Sequence, residues 1–158
     1  MVVSGHAVAL KEIIYDVNGK AMGECITRSS DGDKESSFCT LYPGYEPSNK
    51  IYYGSGTILS VNTYEPQKGD HINKSGRSTD VTSGLITNVN QLVSDKNGRE
   101  FYIVKTNYAS AGGDSGGIVY TDDGKTAGIH LGSKVNDPSL SYYIKANKIN
   151  KALAVERY

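Results

Sequence analysis

One serine set among glycines constrains this chain more than any other feature. In residues 107–120, NYASAGGDSGGIVY, Ser115 stands within GGDSGG, between two runs that read as strands. A serine hydroxyl is a weak nucleophile at neutral pH, so it needs a neighbouring general base and backbone N–H groups aimed at the oxyanion that develops. Gly112 and Gly113 permit a tight turn that points the N–H groups of Gly113 and Ser115 into one concavity, while Gly116 and Gly117 leave room for a substrate carbonyl. An ordinary Gly/Ser turn has the same composition. The remaining chain therefore has to decide between the two.

A nucleophilic serine also needs an imidazole and a carboxylate that orients it. The sequence holds three histidines, His6, His71 and His130, and His6 lies in VVSGHAV, an apolar run entering a small-residue turn. Formal net charge is zero, with 17 basic and 17 acidic residues, so no field recruits nucleic acid or an anionic membrane surface. No apolar run reaches the roughly 20 residues that span a bilayer. Eighteen glycines and 12 tyrosines without a tryptophan suit short twisted strands and tight turns, which makes the class all-β. No zinc-type spacing of cysteine and histidine occurs and no glycine loop opens a helix to cradle phosphate, so neither a metal nor a cofactor is expected.

Along the chain, residues 11–17 read as a strand, Asn18-Gly19 as a hairpin turn and 20–28 as the return. A second hairpin around Asp31-Gly32-Asp33 leads into 36–41 and sets Cys25 opposite Cys39, where a disulfide and two free, partly buried thiols are both open. Residues 51–61 read as strand with bulges at Gly54 and Gly56, and polar residues 62–69, with Pro66, as a connection. Further strands are expected over 70–74, 82–93, 99–106, 117–121, 125–131 and 141–144. Ile149, Leu153 and Val155 give 145–157 a near-helical apolar spacing.

SGHA upstream, KSGRST followed by VTSG in mid-chain, GGDSGG and then GIHLGS occur in one order. Together they resemble the chymotrypsin-like serine peptidases, most closely the bacterial streptogrisins and glutamyl endopeptidases, and the resemblance covers nearly the whole chain. It implies a double Greek-key β-barrel with a C-terminal helix: residues 1–61 as the remainder of the first barrel, 62–69 as the connection, and 70–158 as the second barrel. Several strands of the first barrel precede the histidine in that family, whereas here the chain opens five residues before His6. The expectation is thus an incomplete first barrel in an amino-terminally truncated form of a secreted, monomeric bacterial enzyme that acts on polypeptides.

The same resemblance assigns roles residue by residue. His6 becomes the general base for Ser115, with Gly113 and Ser115 forming the oxyanion hole. The family places an aspartate three residues before an aromatic on a strand, and counting back from Phe38 lands on Glu35; Asp33 in the preceding loop is the alternative acid. Asp114 resembles an aspartate buried against a basic side chain, for which Lys74 stands at the matching place and Arg77 close by. Ser110, His130 and Ser133 match residues that bind an acidic side chain in glutamyl endopeptidases, although Leu131 departs from the pattern. His71 has no matching role and reads as a surface strand residue. Two other readings stay open: a catalytically inactive remnant or binding module on the same fold, and an α/β-hydrolase esterase, since Gly113–Gly117 also satisfies G-x-S-x-G.

Overall fold

The computed structural model describes residues 1–29, 35–53, 56–62, 64–95, 97–134 and 137–156. Its first sheet is built from β1 (Val2–Ser4), β2 (Ile13–Tyr15), β3 (Ala21–Ser29) and β4 (Ser36–Leu41), antiparallel and open, in the order β1-β4-β3-β2. Gly19 takes a positive φ of 77° in the turn before β3, a conformation that costs glycine little. The expected strand over 11–17 shrinks to β2, because Lys11 has a positive φ of 65° and an extended run cannot pass through it. Cys25 and Cys39 face each other across β3 and β4 as fully buried free thiols, with no disulfide between them. Burial pushes the Cys39 thiol up to about 11, and the neighbouring Cys25 adds to the shift. The loop expected around Asp31-Gly32-Asp33 lies outside the described residues, and so does Gly54.

The second sheet closes on itself. Strands β5 (His71–Gly76), β6 (Asp80–Ser94), β7 (Glu100–Thr106), β8 (Ile118–Tyr120), β9 (Thr126–Lys134) and β10 (Asp137–Lys145) run in the order β10-β7-β6-β5-β8-β9, and β9 pairs with β10 to complete the barrel. Register shifts around Asn88 bend the long β6, as bulges do where a sheet curls. Ile72, Ile86, Val104, Tyr108, Val119, Ala127 and Tyr143 fill the interior. The closing strand expected over 141–144 is longer, because Asp137 already pairs with Lys134.

Two connections depart from the sequence reading. Among the described residues of the strand expected over 51–61, only the isolated bridge between Lys50 and Ile58 forms. Ile51 and Leu59 are buried with Tyr120 instead, so the segment's apolar side chains anchor a loop to the barrel. The C-terminal helix α1 (Ala146–Leu153) stops short of the expected 145–157, since Ala154 adopts the left-handed conformation and its N–H caps the carbonyl of Asn150. Ile149 and Leu153 on α1 pack with Phe101, Ile103, Ile129 and Ile144 of the barrel, and Val2 and Phe38 of the first sheet join that cluster. One apolar cluster thus links the helix to both sheets.

The close approach of β9 to β10 depends on a glycine. A Cβ at Gly128 would lie 2.7 Å from a ring carbon of Tyr143 and inside contact with the Ile144 carbonyl, whereas one at Gly132 on the same strand would meet nothing within 4 Å. Gly128→Ala should therefore destabilise by at least the 1–3 kcal/mol typical of an overpacked core. Gly132→Ala should stay within about 0.5 kcal/mol. Chemical denaturation of the two variants checks the contrast.

Candidate active site

The loop that carries Ser115 is held from beneath by a buried ion pair. Asp114 and Lys74 are both fully buried, with Nζ 2.9 Å from Oδ2. Asp114 also accepts from the N–H groups of Ser78 (2.8 Å), Thr79 (3.2 Å) and Ala111 (3.0 Å) and from the Thr79 hydroxyl (2.7 Å). Burial alone would raise the Asp114 carboxyl, but the bonds from Thr79, Ala111, Lys74 and Ser78 outweigh it and hold the group far below the ordinary carboxylate range. Lys74 sits on β5 facing inward, while Arg77, just beyond that strand, is exposed and takes no part.

Above this anchor the backbone is shaped for a small anion. Gly113 has a φ of 100°, Gly116 of 87°, and the N–H groups of Gly113 and Ser115 donate to no acceptor among the described residues. Donors left free in a turn of this kind suit a developing oxyanion. The Ser115 hydroxyl donates to the carbonyl of Leu131 at 3.2 Å, and no hydrogen bond joins it to His6. The chain then runs straight into β8, so the helix that an α/β-hydrolase requires after its serine is absent and that reading is excluded.

The first sheet brings the imidazole. His6 follows β1, and its Nδ1 lies 3.0 Å from Oε1 of Glu35, which directly precedes β4 and is 1% exposed. The other carboxylate oxygen accepts from the Gly5 N–H at 3.1 Å and from the hydroxyl of Ser4 at 2.6 Å, and Ser4 Oγ is also 2.8 Å from His6 Nδ1. Burial acts to raise the Glu35 carboxyl, yet the bonds from His6, Ser4 and Gly5 prevail and keep it below its ordinary value. A carboxylate on Nδ1 fixes the tautomer that leaves Nε2 as the accepting nitrogen. The Ser115 loop abuts this assembly, for a Cβ at Gly116 would lie 3.2 Å from the Ser4 nitrogen. Asp33 lies outside the described residues.

His130 and Ser133 stand on β9 beside the serine, and Ser110 lies on the loop that leads to it. The backbone of His130 exchanges hydrogen bonds with Gly116 (2.9 Å) and Gly117 (2.8 Å), and its ring is 1% exposed. Burial and the Lys74 charge lower the His130 imidazole to about 4, so the ring is neutral at pH 7. Ser110 Oγ is 2.8 Å from Ser141 Oγ, and Ser141 donates to the Tyr108 carbonyl at 2.8 Å. The Ser141 proton is thereby committed, so the proton of Ser110 goes to Ser141. Ser133 is half-buried and its hydroxyl makes no hydrogen bond among the described residues. His71 stands apart, exposed at the start of β5 and bonded to Asp122 at 3.0 Å.

Sequence reasoning missed Ser4, Thr79, Ser141 and Tyr108. Ser4 carried a signal, since it stands two residues before His6 in a turn otherwise explained by its small size. Ser141 and Tyr108 carried none, because only barrel closure brings β10 and the end of β7 to the pocket.

No protein-family model matches the chain. It is 36% identical over 109 residues to glutamyl endopeptidase 2 of Streptomyces griseus, covering 68% of this chain and 51% of that protein. Over 66 residues it is 47% identical to serine protease 1 of Streptomyces fradiae, covering 41% of this chain and 18% of that protein. The chain thus spans about half of the first relative and less than a fifth of the second. Among solved structures, a glutamic acid-specific serine protease superposes with a TM-score of 0.85 at 28% identity, covering 99% of this chain and 85% of its own. Cellulomonas bogoriensis chymotrypsin superposes with a TM-score of 0.84 at 19% identity, covering 99% and 84%, and attests the fold. The chain has the chymotrypsin-like fold, and its sequence is similar to serine peptidases.

Asp114 and Glu35 set a pH dependence. Both folded-state carboxyls lie below their unfolded values, so their stabilisation is complete above the ordinary carboxylate pKa of about 4 and is lost as pH falls through the lower folded values. Lys74→Met should remove 3–5 kcal/mol at neutral pH by leaving Asp114 buried and unpaired. The variant should also lose less stability than the parent on acidification, as protonated Asp114 no longer needs a cation. Denaturant midpoints between about pH 7 and pH 3 measure both effects.

Proposed function

We propose that the chain carries the active site of a serine endopeptidase with a preference for glutamate before the scissile bond. The observation that supports it most is the buried Glu35 carboxylate on Nδ1 of His6, set against the loop that holds Ser115. In this reading Glu35, rather than Asp33, orients His6, and His6 Nε2 takes the Ser115 proton once the hydroxyl turns away from the Leu131 carbonyl. Catalytic hydrogen bonds are often unformed before substrate arrives. Ser115 Oγ then bonds to the substrate carbonyl carbon, the oxyanion lies on the N–H groups of Gly113 and Ser115, and the C–N bond breaks as His6 returns the proton to the leaving amine. Water repeats the sequence to release the acid. Asp114 and Lys74 act as the structural pair beneath the hole.

Glutamate preference draws on the two relatives described as glutamyl endopeptidase and glutamic acid-specific protease, together with His130, Ser110 and Ser133 beside Ser115. The latter protease is described as using a histidine triad in substrate binding. Here His6 is bonded to Glu35 and His71 to Asp122, so His130 is the pocket's single imidazole. With the Ser110 proton committed to Ser141, His130 and Ser133 are the donors left for a carboxylate. Each charge-assisted bond contributes about 1.5–3 kcal/mol, enough to select glutamate over glutamine. Residues 1–61 and 70–158, joined through 62–69, supply the two sides of the cleft. A secreted bacterial monomer acting on polypeptides completes the reading, and the polypeptide substrate is supported by the Streptomyces relatives, which are peptidases by name. No helix among the described residues is long and apolar enough to cross a membrane.

The bond from Ser115 to Leu131 is the one feature that favours a non-catalytic binding fold. An organophosphonate separates the readings: one adduct at Ser115 is expected, lost in His6→Ala and kept in His130→Ala. Absence of labelling, or equal labelling of the two variants, contradicts the triad. Peptides varied only before the scissile bond should give a kcat/KM for Glu at least tenfold above Gln, Leu or Ala.

A further inference from the structure

The neutral ring of His130 has one N–H to give, and which nitrogen carries it decides whether the pocket attracts or repels a carboxylate. Nδ1 lies 3.0 Å from the hydroxyl of Tyr108, with both residues buried and their ring centroids 5.6 Å apart. Nε2 makes no hydrogen bond among the described residues, yet it is not among the sealed, unpartnered side-chain atoms, which are Ser60 Oγ, Thr126 Oγ1 and Tyr143 OH. Nε2 is therefore the ring nitrogen that keeps some exposure and has no partner among the described residues. Tyr108 cannot move aside easily, because it is fully buried among Ile72, Ile86 and Val104 and its carbonyl holds Ser141.

We propose that Tyr108 is the positioning residue of the specificity pocket: its hydroxyl donates to Nδ1 of His130, so that the neutral ring presents Nε2–H to a glutamate carboxylate. This rests on the reading of His130 as the pocket imidazole. The phenol is suited to the task, since burial, helped by the Asp114 charge, outweighs the opposing side-chain hydrogen bond with Thr106 and pushes it far above its ordinary value, which keeps its proton in place. The charged groups that act on the ring are Lys74 and His6, which disfavour its protonation, and Asp114, which favours it; Tyr143 pairs with His130 from β10. With the opposite tautomer, Nε2 would aim a lone pair at the incoming carboxylate. A Tyr–His pair on one imidazole would thus orient the donor in this chain, where the other two histidines are bonded to Glu35 and Asp122.

Tyr108→Phe should lower kcat/KM for a peptide with Glu before the scissile bond about tenfold to a hundredfold, because Nδ1 is left buried without a donor. The same variant should change kcat/KM for Leu or Ala peptides less than twofold. Equal losses on all peptides, or an unchanged Glu preference, would overturn the proposal. A second measurement does not depend on activity or on the variant folding: 15N shifts of His130 in the unaltered protein should report the Nε2–H tautomer between about pH 5 and 8. Protonation at Nδ1 would reject the assignment even if Glu is preferred. A parent enzyme without Glu preference but with the Nε2–H tautomer would fault the pocket reading and leave the Tyr108 bond standing.

Discussion

A carboxylate buried at the centre of a loop has to be answered by partners, and that requirement at Asp114 shapes much of the second barrel. Lys74 from β5, the Ser78 and Thr79 amides from the turn after it, and Ala111 from the serine loop all converge on two oxygen atoms. Satisfying Asp114 ties the β5–β6 turn to the loop and fixes the backbone around Gly113 and Ser115. A buried pair of this kind is costly to form and still more costly to break. Its value lies in making one loop conformation far better than its neighbours, with the N–H groups of Gly113 and Ser115 left without acceptors.

The other half of the site repeats the logic on a different sheet. Glu35 is buried because β1 and β4 pair in a register that sets Ser4 opposite Ser36, one residue beyond it, and its oxygen atoms are met by Ser4, Gly5 and His6. One buried carboxylate thus positions the Ser115 loop and another the His6 imidazole. The two meet where Gly116 touches β1, a contact that admits no larger side chain without displacing the Ser4 backbone. The cluster joining Val2 and Phe38 to α1 and the barrel keeps the halves in contact.

Most of the fold was legible because its signals are local. Alternating apolar residues bounded by glycine turns located β3 to β9 closely, and the facing of Cys25 and Cys39 followed from the hairpin. The strand expected over 51–61 failed for a tertiary reason: Ile51 and Leu59 find burial against Tyr120 without a strand partner. The placement of Ser115 and His6 was legible where a motif is continuous, as in GGDSGG and SGHA, and the resemblance offered Glu35 beside Asp33 as the carboxylate on His6. Ser4, Ser141 and Tyr108 were not, because a hydroxyl announces its partner only after sheets are closed. The commitment of the Ser110 proton to Ser141 belongs to the same class.

Glu35 acting through His6 is the central step of the proposed mechanism, and Glu35→Gln tests it with almost no change in shape. A carboxamide can keep the contact with Ser4 but can present its NH2 to Nδ1, favouring the wrong tautomer. The account predicts a fall in kcat on the order of 10³- to 10⁴-fold, the scale on which an amide replacement disables such a triad, with KM little altered and the fold intact. A loss smaller than about tenfold in a folded variant would contradict it and return the orienting role to another carboxylate.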